Sequence, residues 1–413
     1  MRFTSEGFRD VQLATTCLVL LAPLASRTVD GFDYRVLLLK RHSQSRTYDS
    51  AHVMPGGNID PIDVDAAAWS SLFPPLEPVV ASASTGLSPA EMQSLKLCAV
   101  RETFEESGLL LLEPPSATAS GTVDSAQYAW NNLSAAEKTR WREEVHKNGR
   151  RFIDLLKLLG NGAKPALSSL THWSQWITPV VLPRRFDTHF FIAVLPPAFT
   201  SSSSASPTLI THDSLVSSDG VETSSADWLT PLEAITRAVA YTKALSSPAA
   251  EPPVARPGEE PILLHPPQFH LMAELASNHR SLASLLAPGS TRDAPVVRAR
   301  TVVPFTPQVG AAVRDAAGRT RRAMLLPGDE AYAYAPGTPA LDDLQRRMRA
   351  SDGGDPGRRR ARRNRTYVLP PKKGTLGLTV EGCLRENVVD VLGPGWEDMR
   401  AGDAGQPEER SKL

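Results

Sequence analysis

The chain of 413 residues contains three cysteines, Cys17, Cys98 and Cys383, far apart and without a CxxC pair. That excludes a disulfide framework and a cysteine zinc site, and it fits a reducing compartment. It also lacks a net charge: 45 Lys+Arg balance 45 Asp+Glu. No global basic field therefore exists to hold nucleic acid, and an anion site has to be a local cluster. No apolar run approaches the roughly 20 residues of a membrane-spanning helix. The longest, 13–25, is preceded by Arg2 and Arg9, which Glu6 and Asp10 offset. A signal peptide would need a positive flank there. A second β-like run, 34–39, follows the turn at Asp30-Gly31, so the two runs read as the opening strands of a sheet. No HExxH string is present, and His52, His172, His189 and His270 show no metal-binding spacing; they read as structural or rim residues.

What is present is a globular composition, 41% hydrophobic and 22% charged. The length suits one large domain or two ordinary ones, and 35 prolines point to long irregular insertions. After the two strands and a glycine turn (10–60), residues 61–96 read as a Pro, Ser and Ala-rich loop with a short helical piece near 89–97. A strong amphipathic helix over 95–109 stops at Gly108. A second helical zone covers 126–160, then strands at 173–181 and 188–196, then helices at 231–245 and 267–286. Beyond 290 come β-like pieces (RARTVVPF, RRAMLLPG, TYVLPP, TLGLTVEG) around a polar stretch. The basic run 358–365 has no interleaved aromatics and reads as a solvated loop, not as a nucleic-acid site.

The chemistry concentrates in RETFEESG, where Arg101, Glu102, Glu105 and Glu106 recur at helical spacing. Positions i, i+3 and i+4 share a face, so three carboxylates are expected to converge. Charges so close repel unless neutralised, and carboxylate oxygens suit a hard cation such as Mg²⁺ or Mn²⁺. Leu97, Val100 and Phe104 form the opposite, packing face, and Arg101 can orient a carboxylate. Upstream, Met54-Pro55-Gly56-Gly57-Asn58 turns the chain, and its glycines let backbone approach an ion or phosphate closely.

On these residues the chain resembles the Nudix hydrolase family, whose box reads G-x5-E-x7-R-E-U-x-E-E-x-G-U. Gly57 opens it, and 101–109 matches its second half except at Thr103, where an apolar residue is usual. The box is split: residues 64–100 intervene between Asp63 and Arg101, and Asp60, Asp63 or Asp65 could fill the first acidic position. An interrupted box resembles the peroxisomal acyl-coenzyme A diphosphatase (Nudix motif 19-like) branch. So do VLLLKR (36–41), the run 176–196, ETSSADWLTPLEA (222–234) and PPQFHL (266–271). A coenzyme A signature, LLTxR-S-x3-R-x3-G-x3-FPGG, places Arg41, Arg46 and Pro55-Gly56-Gly57 in register. Ser50 replaces its Gly, Met54 its Phe, Leu39 its Thr and His42 its Ser. The family's NADH and ADP-ribose markers downstream of the box are absent.

The resemblance implies an α/β fold: an α/β/α sandwich with a mixed sheet over 10–290, with 61–96 inserted in the box and a helical insertion. An extension (291–400) and a tail (401–413) follow. It implies Mg²⁺-dependent (or Mn²⁺-dependent) hydrolysis of coenzyme A or acyl-coenzyme A to 3′,5′-ADP and (acyl)phosphopantetheine. The alternatives are another nucleotide diphosphate, such as NADH or ADP-ribose, or a silent Nudix-fold binding module. Glu102, Glu105 and Glu106 are the implied metal ligands, with Gly57 and Glu222 as further candidates, and Arg101 and Glu102 are the implied catalytic pair. Arg41, Arg46, Gly56, Arg184 and Arg185 are implied for substrate phosphates. The chain ends Ser411-Lys412-Leu413, the tripeptide read by the peroxisomal import receptor, so a matrix location is expected.

Overall fold

A computed structural model describes residues 13–42, 51–73, 86–113, 125–160, 162–179, 185–196, 199–201, 208–210, 216–218, 222–246, 262–290, 295–314, 320–334, 339–352, 361–369 and 379–402. The expected opening strands form β1 (Leu13–Pro23) and β2 (Tyr34–Arg41), an antiparallel pair that continues into the short β3 (His52–Val53). β4 (Thr171–Ile177) and β5 (Phe186–Val194) complete the centre, with β5 parallel to β1 and antiparallel to β4. β6 (Phe199–Ser201) and β7 (Thr208–Ile210) make a separate hairpin. β8 (Thr223–Leu229) runs beside β2, and β9 (Pro304–Phe305) beside β4. The result is a seven-stranded mixed sheet.

Both faces of this sheet are covered, which is why β1 and β5 are nearly continuous apolar runs rather than alternating ones. Alternate residues of each strand serve opposite cores. Leu18, Leu20, Phe191 and Ala193 face one, while Val19, Leu21, Phe190 and Ile192 face the other. The first core is roofed by α2 (Pro89–Ser107), which follows the short α1 (Ala66–Trp69), and by α3 (Ser125–Asn132), α4 (Ala135–Lys147) and α5 (Arg150–Leu159). α2 is a single helix of 19 residues, longer than the sequence suggests. A Ser88/Glu91 capping box and Pro89 at its first turn start it early, and Gly108 in the left-handed region ends it. The helical zone at 126–160 is three helices, split at Ser134 and at Asn148-Gly149.

The second core lies under α6 (Pro231–Ser246) and α7 (Pro266–Asn278). The helix expected to reach residue 286 breaks at His279, and a short α8 (Leu282–Leu285) follows. Of the β-like pieces after 290, RARTVVPF supplies β9 of the main sheet; the others fall in an antiparallel sheet in chain order, β10 (Gln308–Arg314), β11 (Thr320–Leu325), β12 (Arg363–Leu369), β13 (Thr379–Glu386) and β14 (Met399–Gly402), of which β10 and β14 were not expected. Residue 290 is not a packing boundary. Phe269 and Met272 of α7 share one hydrophobic cluster with Leu325, Val368, Val380 and Met399 of this sheet.

A buried ion cluster joins the two parts. Glu274 on α7 is fully buried and pairs with Arg300 and Arg385, the latter also fully buried. Arg300 lies between two indole rings, 4.0 Å from the centre of Trp173 and 4.2 Å from that of Trp396. Burial alone would raise the Glu274 carboxyl, but the two guanidinium groups outweigh it and hold it below its ordinary value. Removing one partner of such a cluster leaves uncompensated buried charge. Glu274→Gln should therefore lower unfolding stability by about 3–5 kcal/mol in urea titrations. A loss well under 1 kcal/mol would show that the cluster does not join the two parts.

Candidate active site

The site begins with an opening in the sheet. β1 pairs with β2 only through Leu21–Pro23; towards its N-terminus the chain at 55–58 takes β2's place. Leu18 N–H donates to Pro55 O (2.8 Å), Thr16 N–H to Gly57 O (2.9 Å) and Ile59 N–H to Ala14 O (3.2 Å). Two glycines make this wedge possible. At Gly56 (φ +154°) a Cβ would lie 2.0 Å from Thr16 O, inside β1. At Gly57 it would lie 2.4 Å from Oε2 of Glu102. Side chains at either place would push β1 or the acidic helix away.

α2 lays its carboxylates against this wedge. Glu106 is buried, and its Oε2 accepts the Gly56 N–H at 2.8 Å. Glu102 stands against Gly57 and receives Arg101 at 3.0 Å. Burial raises the Glu102 carboxyl to about 7, with Arg101 lowering and Glu105 raising it. Burial, reinforced by the charge of Glu102, pushes Glu106 well above the usual carboxylate range despite the Gly56 hydrogen bond. Glu222, just before β8, adds to the negative field at Glu106. Arg41, at the end of β2, reaches Glu222 at 3.8 Å.

The open question of the first acidic position has a geometric answer. Asp63 is 1% exposed, and its two oxygens receive Arg101 Nε (2.9 Å) and Nη2 (2.8 Å) in a forked pair. Asp60 instead caps the short helical turn 61–64, accepting from Ile62 N–H, while Asp65 caps α1 and is partly exposed. Asp63 is held in place because its own Oδ2 accepts the Asp60 N–H, so the turn presents it inward. Burial works against the Arg101 charge, but its hydrogen bonds to Asp63 and the field of Glu102 outweigh it, and the guanidinium is more firmly protonated than usual.

The expected convergence of three carboxylates holds for two. Glu105, four residues from Arg101, is drawn to its Nη1 at 2.6 Å, and its other oxygen faces His146 Nδ1 at 3.4 Å. Among the described residues, no three His, Cys, Asp or Glu side chains converge tightly enough to hold a metal as they stand. Gly57 O accepts Thr16 N–H at 2.9 Å, and the Cys98 thiol lies 3.8 Å from it. Even so, the donor set fits a hard divalent cation: Glu102 and Glu106 are carboxylates that burial raises, the charge of Glu102 raising Glu106 further, beside a backbone carbonyl and Glu222.

The implied phosphate ligands divide. Gly56 and Arg41 lie at the wedge. Arg185, just before β5, is buried, and its Nε donates to Thr178 O at 2.9 Å across the turn between β4 and β5. Arg46, Arg184 and Ser411–Leu413 lie outside the described residues. Three contacts at the site escape sequence reasoning. Thr16 Oγ1 meets Cys98 Sγ behind the wedge, and Arg142 and His146 reach the end of α2 from α4. No periodicity marks them, since they meet α2 only through packing.

Both site carboxylates bind protons more tightly folded than unfolded, so without a divalent ion the folded chain carries more protons and stability falls as pH rises. For Glu102 the window runs from its ordinary value of 4.5 to about 7. In EDTA the thermal midpoint should fall across that window more steeply than in Glu102→Gln. A wild type and variant with the same slope would remove the buried-carboxylate assignment.

Residues 78–249 match the family model described as the NUDT19 Nudix domain. A Gallus gallus protein named acyl-coenzyme A diphosphatase NUDT19 is 30% identical over 328 residues, 74% of this chain and 74% of that one. A Xenopus laevis protein of the same name is 34% identical over 227 residues, 49% of this chain and 54% of that one. The matched stretch thus spans about half the length of the frog relative. Among solved structures, a Nudix hydrolase from Alicyclobacillus acidocaldarius is 23% identical, with a TM-score of 0.41, covering 65% of this chain and 91% of that one. Extended identity along most of the chicken protein, together with the family match across the acidic helix, places the chain in the NUDT19-type Nudix hydrolase family.

Proposed function

We propose that this chain hydrolyses the diphosphate of coenzyme A or acyl-coenzyme A to 3′,5′-ADP and (acyl)phosphopantetheine, with Mg²⁺ or Mn²⁺ as its ion. The observation that carries the reading is the pair of desolvated carboxylates, Glu102 and Glu106, set against the Gly56-Gly57 wedge. It occurs in a chain whose frog and chicken relatives are named acyl-coenzyme A diphosphatase. Glu102, Glu106 and Glu222 would hold the ion, with Gly57 O beside them. Bound there, a divalent cation offsets phosphate charge, polarises a phosphoryl oxygen and acidifies water.

The chain's own residues supply the rest. Glu102, raised to about 7, lies in the range where a carboxylate can accept a proton from water near neutrality. Arg101 positions it: the guanidinium is spread over Asp63, Glu102 and Glu105, and it is too buried to reach a substrate. Arg41 stands at the outer side of the acids and suits a forked contact to a phosphate. Glu105 shares Arg101 with Asp63 and would reach an ion only by turning away from that guanidinium.

The test is a panel of coenzyme A, acetyl-coenzyme A, NADH, ADP-ribose and diadenosine polyphosphates with Mg²⁺, with products separated by chromatography. 3′,5′-ADP should form from the coenzyme A species alone. Glu106→Gln should lose at least about 10²-fold in kcat, the scale of removing one preorganised charged group. Turnover of a different nucleotide would replace the substrate, and a folded chain inert on every member would favour a binding module.

The proposal extends to the peroxisome matrix, supported by Ser411-Lys412-Leu413. A fluorescent fusion exposing this tripeptide should give punctate signal, and its deletion should leave the signal diffuse. Puncta that persist after deletion would overturn the assignment.

A further inference from the structure

The last turn of α2 poses an electrostatic problem. It ends the helix, so four carbonyls lack intrahelical partners and the negative end of the macrodipole falls there. That same turn carries Glu105 and Glu106, which add to the negative charge. Each of the last four carbonyls nevertheless has a donor. Phe104 O accepts Gly108 N–H (2.8 Å), Ser107 O accepts Ser217 N–H (3.0 Å) and Glu106 O accepts the Thr223 hydroxyl (3.5 Å). Glu105 O accepts two hydrogen bonds from one guanidinium, Arg142 Nε (3.2 Å) and Nη2 (2.9 Å).

Arg142 is more than a cap. Its remaining terminal nitrogen, Nη1, donates to Ser217 Oγ (2.9 Å) and Ser218 O (3.5 Å). The guanidinium therefore spans from the acidic helix to the segment that leads into Glu222 and β8. Its approach depends on Gly108, where a Cβ would stand 3.3 Å from Arg142 Cδ and Nη1. Arg142 itself is set by Trp141 and Val145, which bury α4 against α2. From β8, the Thr223 hydroxyl on Glu106 O closes the circuit one residue after Glu222.

We infer that Arg142, supplied by the α3–α5 helices, is a positioning residue that sets the separation between Glu106 on α2 and Glu222 on its loop. It thereby fixes the affinity of the site for a divalent cation. This deepens the proposed function, because it rests on Glu106 and Glu222 acting together on one ion. Arg142 acts by holding the end of α2, through Glu105 O, and the 217–218 segment together.

The full chain is titrated with Mn²⁺, following the free-ion EPR signal, and kinetics on coenzyme A are measured in parallel. Arg142→Ala should weaken Mn²⁺ binding by about tenfold, the scale for removing a group that orients metal ligands. kcat should fall with it while KM for coenzyme A stays within about twofold, and Arg142→Lys, which keeps the charge and loses the fork, should fall between. In a Glu222→Gln background the Arg142→Ala effect on Mn²⁺ should largely vanish, because the two act through one ligand. Wild-type Mn²⁺ affinity in folded Arg142→Ala, or an undiminished effect in Glu222→Gln, would overturn the inference. Should Arg142→Ala fail to fold, Ser217→Ala removes only the loop end of the bridge and is expected to weaken Mn²⁺ several-fold; unchanged affinity there overturns it equally. Mn²⁺ binding that responds to Arg142 in a chain inert on coenzyme A would retain the positioning role and reject the proposed substrate.

Discussion

Arg101 carries more of the site than any other side chain, although it cannot meet a substrate. Five N–H donors in a rigid plane let one cation serve Asp63, Glu102 and Glu105 together. In water such contacts would be worth little, but here the guanidinium is 3% exposed and the pairing is strong because water is excluded. The 61–73 segment is docked by Asp63, the catalytic helix is held against that segment, and the remaining acids are left short of positive charge. That shortage is the physical condition for a cation site: Glu106, and Glu102 even with its share of Arg101, are driven towards their neutral forms unless something positive arrives.

The helical zone at 125–160 belongs to this arrangement. Gly149, at the joint between α4 and α5, lies so close to Arg101 and Ile62 that a Cβ would fall 3.2 Å from Arg101 Cδ and 2.8 Å from Ile62 Cγ2. His146 meets Glu105, and Arg142 meets the end of α2. Three consecutive structural features thus seal the ion network from one side. On the far side of the sheet, the Glu274–Arg300–Arg385 cluster plays the corresponding part for the C-terminal sheet. The two clusters differ in outcome. In the second, two cations face one carboxylate and hold it charged; in the first, carboxylates outnumber the cation.

The sequence carried the short-range part of this. RETFEESG announces an acidic helix, because its spacing follows the 3.6-residue period, and Gly108 is where that helix stops. The opening strands, a glycine turn and most of the β-like pieces after 290 were legible from alternation, turn residues and apolar runs, although the turn's place beside β1 was not. Even the split box could be read, but not its missing acid, since Asp60, Asp63 and Asp65 differ by only a few positions. Two of them cap short helices, and only the turn geometry shows which one points inward.

What tertiary structure alone decided are contacts between residues distant in the chain. Helical spacing put Glu105 on the metal face, yet at i+4 from Arg101 it is equally placed for an ion pair, and the buried guanidinium draws it away. That Arg185 is buried, with its Nε on Thr178 O across the turn between β4 and β5, is likewise a long-range fact with no local signal. Arg142 and Ser217 carry no local signal at all; they meet because α4 packs on α2 and the loop before β8 crosses the end of that helix. Local period and residue chemistry determined which groups the site has. Long-range packing, through burial and the shortage of partners it enforces, decided which of them face one another.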